Sequence, residues 1–173
     1  MIMQDEIAYD QMTYLNVNLD QTSRIGGSAT IDWTPIKILS LEANAAYVRA
    51  TFLSGDYKGN VVPLVPALTF RSGATLNLPF GISCGTDASY TSESYAGQDF
   101  ANDAETIDGY TLIGLTVGFS PEAKENAFAL RFRMDNLLDE AYAPLAYYSS
   151  WTDSLSVYPA AGRSFTVSAS YRY

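Results

Sequence analysis

Ten consecutive residues, Ser164 to Tyr173, alternate between apolar and polar without an exception. Phe165, Val167, Ala169, Tyr171 and Tyr173 share one face, and Ser164, Thr166, Ser168, Ser170 and Arg172 share the other. Successive side chains of a β-strand point to opposite sides, so this period of two gives one oily and one hydroxyl-rich surface. No helix can divide these residues that way. The same period recurs at Arg24–Trp33, Leu39–Tyr47, Leu68–Leu78, Ile82–Tyr90, Ile113–Phe119 and Phe128–Asp135. With the terminal run these make seven strands, and the segment before Asp10 supplies an eighth. The seven prolines, at 35, 63, 66, 79, 121, 144 and 159, fall between the periodic runs, where no ladder donor is needed. The reading is all-β and antiparallel.

The connections alternate in length. Thr34–Lys37, Pro79–Gly81 and Ser120–Asn126 are short, while Leu53–Val65, Ala96–Asp108 and Asp139–Gly162 are long. Tight turns at one end and long loops at the other are the layout of an up-and-down transmembrane barrel. A soluble barrel of the lipocalin kind also alternates, but it turns its polar face to water. Water-facing strands normally carry lysine, yet Lys37, Lys58 and Lys124 all lie in predicted turns or loops. The polar faces hold mostly Ser, Thr, Gly and Asn, which suits an enclosed lumen.

Aromatics on the apolar faces gather near strand ends. Trp33, Phe119, Phe128, Tyr171 and Tyr173 form one level, and Tyr47, Phe70, Tyr90 and Phe165 the other. Between them lie Ala29, Ala43, Ala74, Leu115, Leu130 and Val167. Two aromatic girdles around an aliphatic band are what a bilayer selects. The charges Asp32, Glu42, Arg71, Asp87, Arg131, Arg133 and Asp135 keep to the polar phase. Arg49 and Arg163 depart from it where strands emerge at the outer rim, so they either reach headgroup phosphates or are simply hydrated there.

Composition removes several function classes. The chain has 173 residues, a net charge of −9 and no histidine. Acidic balance disfavours nucleic acid as a partner, and the missing imidazole removes histidine-based catalysis and metal binding. Cys84 falls on an apolar phase and reads as a small hydrophobe. No Ser/His/Asp, Cys/His or glycine-rich phosphate constellation is present, so the expectation is a protein that is not an enzyme and has no cofactor. Asp99, Asp103, Glu105 and Asp108 share one loop, but their spacing fits no ordered calcium loop, and they read as a solvated segment. Tyr142, Tyr147, Tyr148, Trp151 and Tyr158 crowd the last long loop. There Tyr147, Tyr148 and Trp151 could stack on an extracellular ligand, or else serve loop packing.

Four stretches carry a resemblance: Gly59-Asn-Val-Val-Pro-Leu-Val-Pro66, Ile107-Asp-Gly-Tyr-Thr-Leu112, Asp135-Asn-Leu-Leu-Asp-Glu-Ala-Tyr142 and Tyr158-Pro-Ala-Ala-Gly-Arg-Ser-Phe165 before the terminal Tyr-Arg-Tyr. In this order they resemble the C-terminal part of the barrel of a TonB-dependent outer-membrane receptor. The resemblance implies a segment of a larger barrel spanning residues 1–173, without the plug, TonB box or signal peptide. It implies residence in the outer membrane of a Gram-negative-type bacterium and uptake of a siderophore, cobalamin or similar scarce nutrient. Implied partners are membrane lipid, the barrel assembly machinery, the remainder of the receptor and, through it, TonB. Phe165, Val167, Ala169, Tyr171 and Tyr173 resemble the terminal-strand assembly signal of such proteins. A different class remains open, a self-closed eight-stranded outer-membrane barrel with a structural or adhesive role.

Overall fold

A computed structural model of the chain describes residues 1–4, 7–10, 15–121 and 127–172. Twelve strands follow in chain order: β1 (Ile2–Met3), β2 (Ile7–Asp10), β3 (Leu15–Asn18), β4 (Thr22–Ile36), β5 (Leu39–Phe52) and β6 (Leu68–Leu78), then β7 (Ile82–Thr91), β8 (Tyr110–Phe119), β9 (Ala127–Asp135), β10 (Leu145–Ser149), β11 (Ser154–Tyr158) and β12 (Ser164–Arg172). Eight of them make one antiparallel sheet in the order β1-β4-β5-β6-β7-β8-β9-β12. Two hairpins, β2–β3 and β10–β11, stand apart from it. The only helical element among the described residues is a short 3₁₀ turn at Pro79–Gly81.

The seven long strands are those the alternation predicts. The eighth position falls to the two-residue β1, while Ile7–Asp10 joins its own hairpin. One boundary moves. The sequence reading ends the first strand at Trp33 and puts Pro35 in a turn, but β4 continues to Ile36 and Pro35 lies inside it. The register slips between Trp33 and Ile36, and a bulge is where a strand tolerates a residue with no N–H.

Register fixes the two faces. On the apolar side Phe70 opposes Tyr90, Phe128 opposes Tyr171, Phe119 opposes Ile82 and Val167 opposes Phe132. These side chains have no second layer above them: Val167 is 72% exposed, Ile25 71% and Phe165 60%. A water-soluble sheet of this area would cover such a face, because each large apolar side chain gains roughly 1.5–3 kcal/mol on burial.

The buried core lies instead among the long connections. Ala50, Phe52 and Val62 pack with Leu19, Val65 and Phe100, and Ala96, Ile107 and Ala146 pack with Leu64, Tyr148 and Leu155. The connection after β5 folds back along it, with Phe52 N–H donating to Asn60 and Val62 N–H to Ala50. Asn102 holds the next loop to it as a strand would, its side-chain oxygen accepting from Val61 N–H (2.7 Å) and its amide donating to Val61 O (3.0 Å). The long connections therefore form a packed layer.

The excursion from β9 to β12 is clamped at its base. Asn136 is buried with φ of 52°, in the left-handed region that asparagine tolerates better than most residues. Its carboxamide oxygen accepts from Glu140 N–H (2.9 Å) and its NH₂ donates to Glu140 O (2.9 Å). Asp139 closes the other side, its carboxylate accepting from Arg163 N–H at 2.8 Å. Asn136→Ala loses both bonds and strains the backbone, so it should cost about 2–4 kcal/mol. Limited proteolysis within residues 137–163, read beside the thermal midpoint, checks this. Asn136→Gly, which relieves only the strain, should fall between the two.

Candidate functional site

The polar face of the sheet is built by register. Asp32 opposes Glu42, Glu42 opposes Gly73, Gly73 opposes Asp87, and Asp87 opposes Gly114. Two glycines in this row are places where a carboxylate lies flat on its neighbouring strand. A Cβ on Gly73 would come within 2.6 Å of Glu42 Oε1, and one on Gly114 within 2.7 Å of both Asp87 carboxylate oxygens. Lying over Gly114, Asp87 reaches past β8 to Arg133 on β9. Arg133 Nη1 donates to Asp87 Oδ1 (3.0 Å) and to Thr116 Oγ1 (3.2 Å), Nη2 donates to Asp87 Oδ2 (3.3 Å), and Nε donates to Asp135 Oδ1 (2.7 Å). A planar guanidinium held by two carboxylates fixes this part of the wall far better than a lone surface pair would.

Grooves run from this network to the loop layer. One of about 310 Å³ is lined by Asp87, Arg133, Asp135, Asn136 and Tyr142. Tyr142 also lines a cavity of about 700 Å³ between residues 105–110 and the β10–β11 hairpin. Asp87 and Glu42 line a further groove of about 470 Å³ with Asp32, Asn44 and Arg71. Shared residues thus link an outer cavity to the middle of the polar wall.

The sequence-predicted residues divide between these regions. Phe165, Val167, Ala169 and Tyr171 stand on the outward face of β12, opposite Met134, Phe132, Leu130 and Phe128; Tyr173 lies outside the described residues. Arg49 is exposed near the loop end of β5, opposite Ile25. Arg163 is exposed just before β12. The three loop aromatics are not one cluster. Tyr147 packs edge-on to Tyr158 with centroids 6.1 Å apart and covers Gly97, where a Cβ would meet its ring at 2.5 Å. Tyr148 packs on the second loop core and donates its hydroxyl to Asp153 (2.9 Å). Trp151, at the hairpin tip, is 73% exposed.

One expectation is corrected. The loop holding Asp99 is not solvated throughout, since Asp99 is only 2% exposed. Its two carboxylate oxygens accept from Asp103 N–H (3.0 Å) and Ala104 N–H (3.2 Å), and close the turn. Asp103, Glu105 and Asp108 are exposed as expected. Sequence reasoning singled out Tyr142 among the last-loop aromatics but missed Tyr110, whose ring sits 4.5 Å from it at an angle of 37° in the wall of the outer cavity. Tyr142 carried a signal, since it ends the Asp135–Tyr142 stretch, but its ring partner depends on tertiary packing.

An antiparallel sheet with an uncovered apolar face, a charged and hydroxylated opposite face, and one end capped by long packed connections is the wall of a membrane-type β-barrel. The chain belongs to the family described as TonB dependent receptor-like, beta-barrel, which matches residues 2–137. Among solved structures it is similar to the ferric citrate transporter FecA in its unliganded form, with a TM-score of 0.75, 21% identity, and coverage of 88% of this chain and 24% of that one. It is also similar to the ferric yersiniabactin uptake receptor FyuA from Yersinia pestis (TM-score 0.74, 19% identity, 88% and 24% covered). A third is BauA, the ferric preacinetobactin receptor from Acinetobacter baumannii (TM-score 0.75, 16% identity, 98% and 26% covered). The chain spans about a quarter of the length of these structures. No curated protein matches the sequence.

The hydrogen bond to Asp153 raises the Tyr148 hydroxyl above the usual phenol value of 10.0, because the bond exists only while the phenol is protonated. A raised folded-state value means this stabilisation is complete below pH 10.0 and is lost as pH climbs through the folded value. Phenolate absorbance during alkaline titration should show one tyrosine titrating late. Asp153→Asn should bring it back toward its neighbours.

Proposed function

We propose that the chain is a C-terminal stretch of about eight strands in the barrel of an outer-membrane receptor that takes up a siderophore, cobalamin or similarly scarce nutrient. Its partners are then membrane lipid on the apolar face, the rest of the receptor at both sheet edges, and TonB through that remainder. The alternating face of β12, with Phe165, Val167, Ala169, Tyr171 and Tyr173, suits recognition by the barrel assembly machinery. Arg49 and Arg163 suit headgroup phosphates at the outer rim. The ferric-chelate names of the similar structures favour metal chelates within this nutrient class.

The observation that carries the reading is an open sheet with sharply different faces. Among the described residues β12 pairs with β9 alone, and the fifteen-residue β4 is met on its other side only by the two residues of β1. A self-closed eight-stranded barrel requires β12 to pair with that far edge. Unpaired backbone groups cannot persist in hydrocarbon, so a membrane sheet of this form needs further strands.

Two measurements test the proposal. Deleting the gene that encodes these residues should abolish energised accumulation of one scarce chelate or nutrient under limitation. Unchanged uptake of all of them, with surface adhesion lost instead, would favour the self-closed barrel. Within β12, Val167→Arg should cost about 2–4 kcal/mol of folded-state stability by placing charge toward lipid, whereas Ser168→Arg on the polar face should cost less than about 1 kcal/mol. Equal effects in a lipid-bilayer unfolding assay would refute the assignment of faces.

A further inference from the structure

We infer that the outer cavity takes a ligand of net positive charge with an apolar or planar body, and discriminates against anionic chelates. The inference rests on the receptor reading above and names the ligand class of its loop end. The cavity of about 700 Å³ lies between residues 105–110 and the clamped excursion that contains β10 and β11. Its lining supplies the carboxylates Glu105, Asp108 and Glu140, and no lysine or arginine. All three are exposed, and among the described residues no three such groups converge closely enough to chelate a bare metal ion. They act as a distributed negative field around an organic surface. That surface is the Tyr110–Tyr142 pair, centroids 4.5 Å apart, with Leu155 and Val157 in the same lining. Aromatic faces add to the attraction, since a cation held over a ring is drawn to its negative face.

The surroundings reinforce this bias. Segments 53–67, 92–109 and 136–163, which build the outer layer, hold nine carboxylates against two basic side chains, Lys58 and Arg163. Most of the chain's net charge of −9 is therefore concentrated at the loop end. On the polar wall the signs are mixed, with Asp32, Glu42, Asp87 and Asp135 beside Arg71, Arg131 and Arg133. A cleft lined by one sign focuses its field and raises the local concentration of the opposite charge. A ligand admitted at the cavity then meets the groove below through Tyr142, which lines both.

The test uses the receptor carrying this chain, purified from outer membranes in a nonionic maltoside, with two planar probes of opposite charge. Methyl viologen should bind in equilibrium dialysis at low salt and naphthalene disulfonate should not, with the binding weakening as salt is added. The combined Glu105→Gln, Asp108→Asn and Glu140→Gln variant keeps side-chain size at exposed positions and should weaken methyl viologen about tenfold. Tyr142→Leu should weaken it independently of salt. Glu105→Lys with Glu140→Lys should invert the preference toward the disulfonate. Equal binding of the two probes, or an amide variant with unaltered preference, overturns the inference. It fails separately from the transport reading. A receptor whose best accumulated substrate is an anionic ferric chelate sinks the cation assignment and leaves transport standing. Cation-selective binding with no accumulation of any substrate upholds the site and counts against transport.

Discussion

The constraint on which this structure depends is the pairing of backbone N–H and C=O groups along strands whose apolar face the described chain leaves uncovered. A strand in that setting must satisfy its main chain sideways, and each of the long strands is paired with at least one neighbour over nearly its whole length. The side chains are then divided by the pleat alone, apolar to one side and polar to the other. Where the pairing stops, at the far edges of β4 and β12, the sheet demands continuation. Edge demand and face polarity together make this a portion of a wall rather than a self-sufficient sandwich.

A wall whose outer side cannot be covered by its own chain must find its three-dimensional cohesion elsewhere. Here the packed cores sit at the loop end, around Phe52 and around Ala146. Side-chain amides do much of the joining. Asn60 donates to Phe100 O and Ala101 O, Asn102 grips Val61, and Asn136 grips Glu140. An amide carries a donor and an acceptor in the geometry of a peptide group, so it can finish a ladder where backbone no longer runs alongside. Residues forty apart in sequence are tied in this way without lengthening any strand.

The sheet was legible in the sequence because its signal is local. Alternation in Ser164–Arg172 or Leu68–Leu78 needs no knowledge of neighbours, and the register then follows from short turns such as Pro79–Gly81. Brief or broken alternation gives no such signal. Leu145–Ser149 and Ser154–Tyr158 are five residues each and crowded with tyrosines, so the β10–β11 hairpin was missed. The candidate site was less legible still. That Asp87 lies on Gly114 and meets Arg133 depends on three strands in register, and that Asp99 is buried depends on a turn closing around it. Side chains of the same type, Asp99 and Asp103, end in opposite environments four positions apart.

The clamp formed by Asn136 with Glu140 and by Asp139 with Arg163 joins the two ends of a long excursion before that excursion has done anything else. The sheet meets the excursion at this closed base, and a second time where Ala146 and Tyr148 bond and pack against the loop holding Ala96 and Gly97. Such a junction behaves as a socket. Its two contacts mark where β9 ends and β12 begins, so the register of that pair is set at the base and not by the length of chain between them.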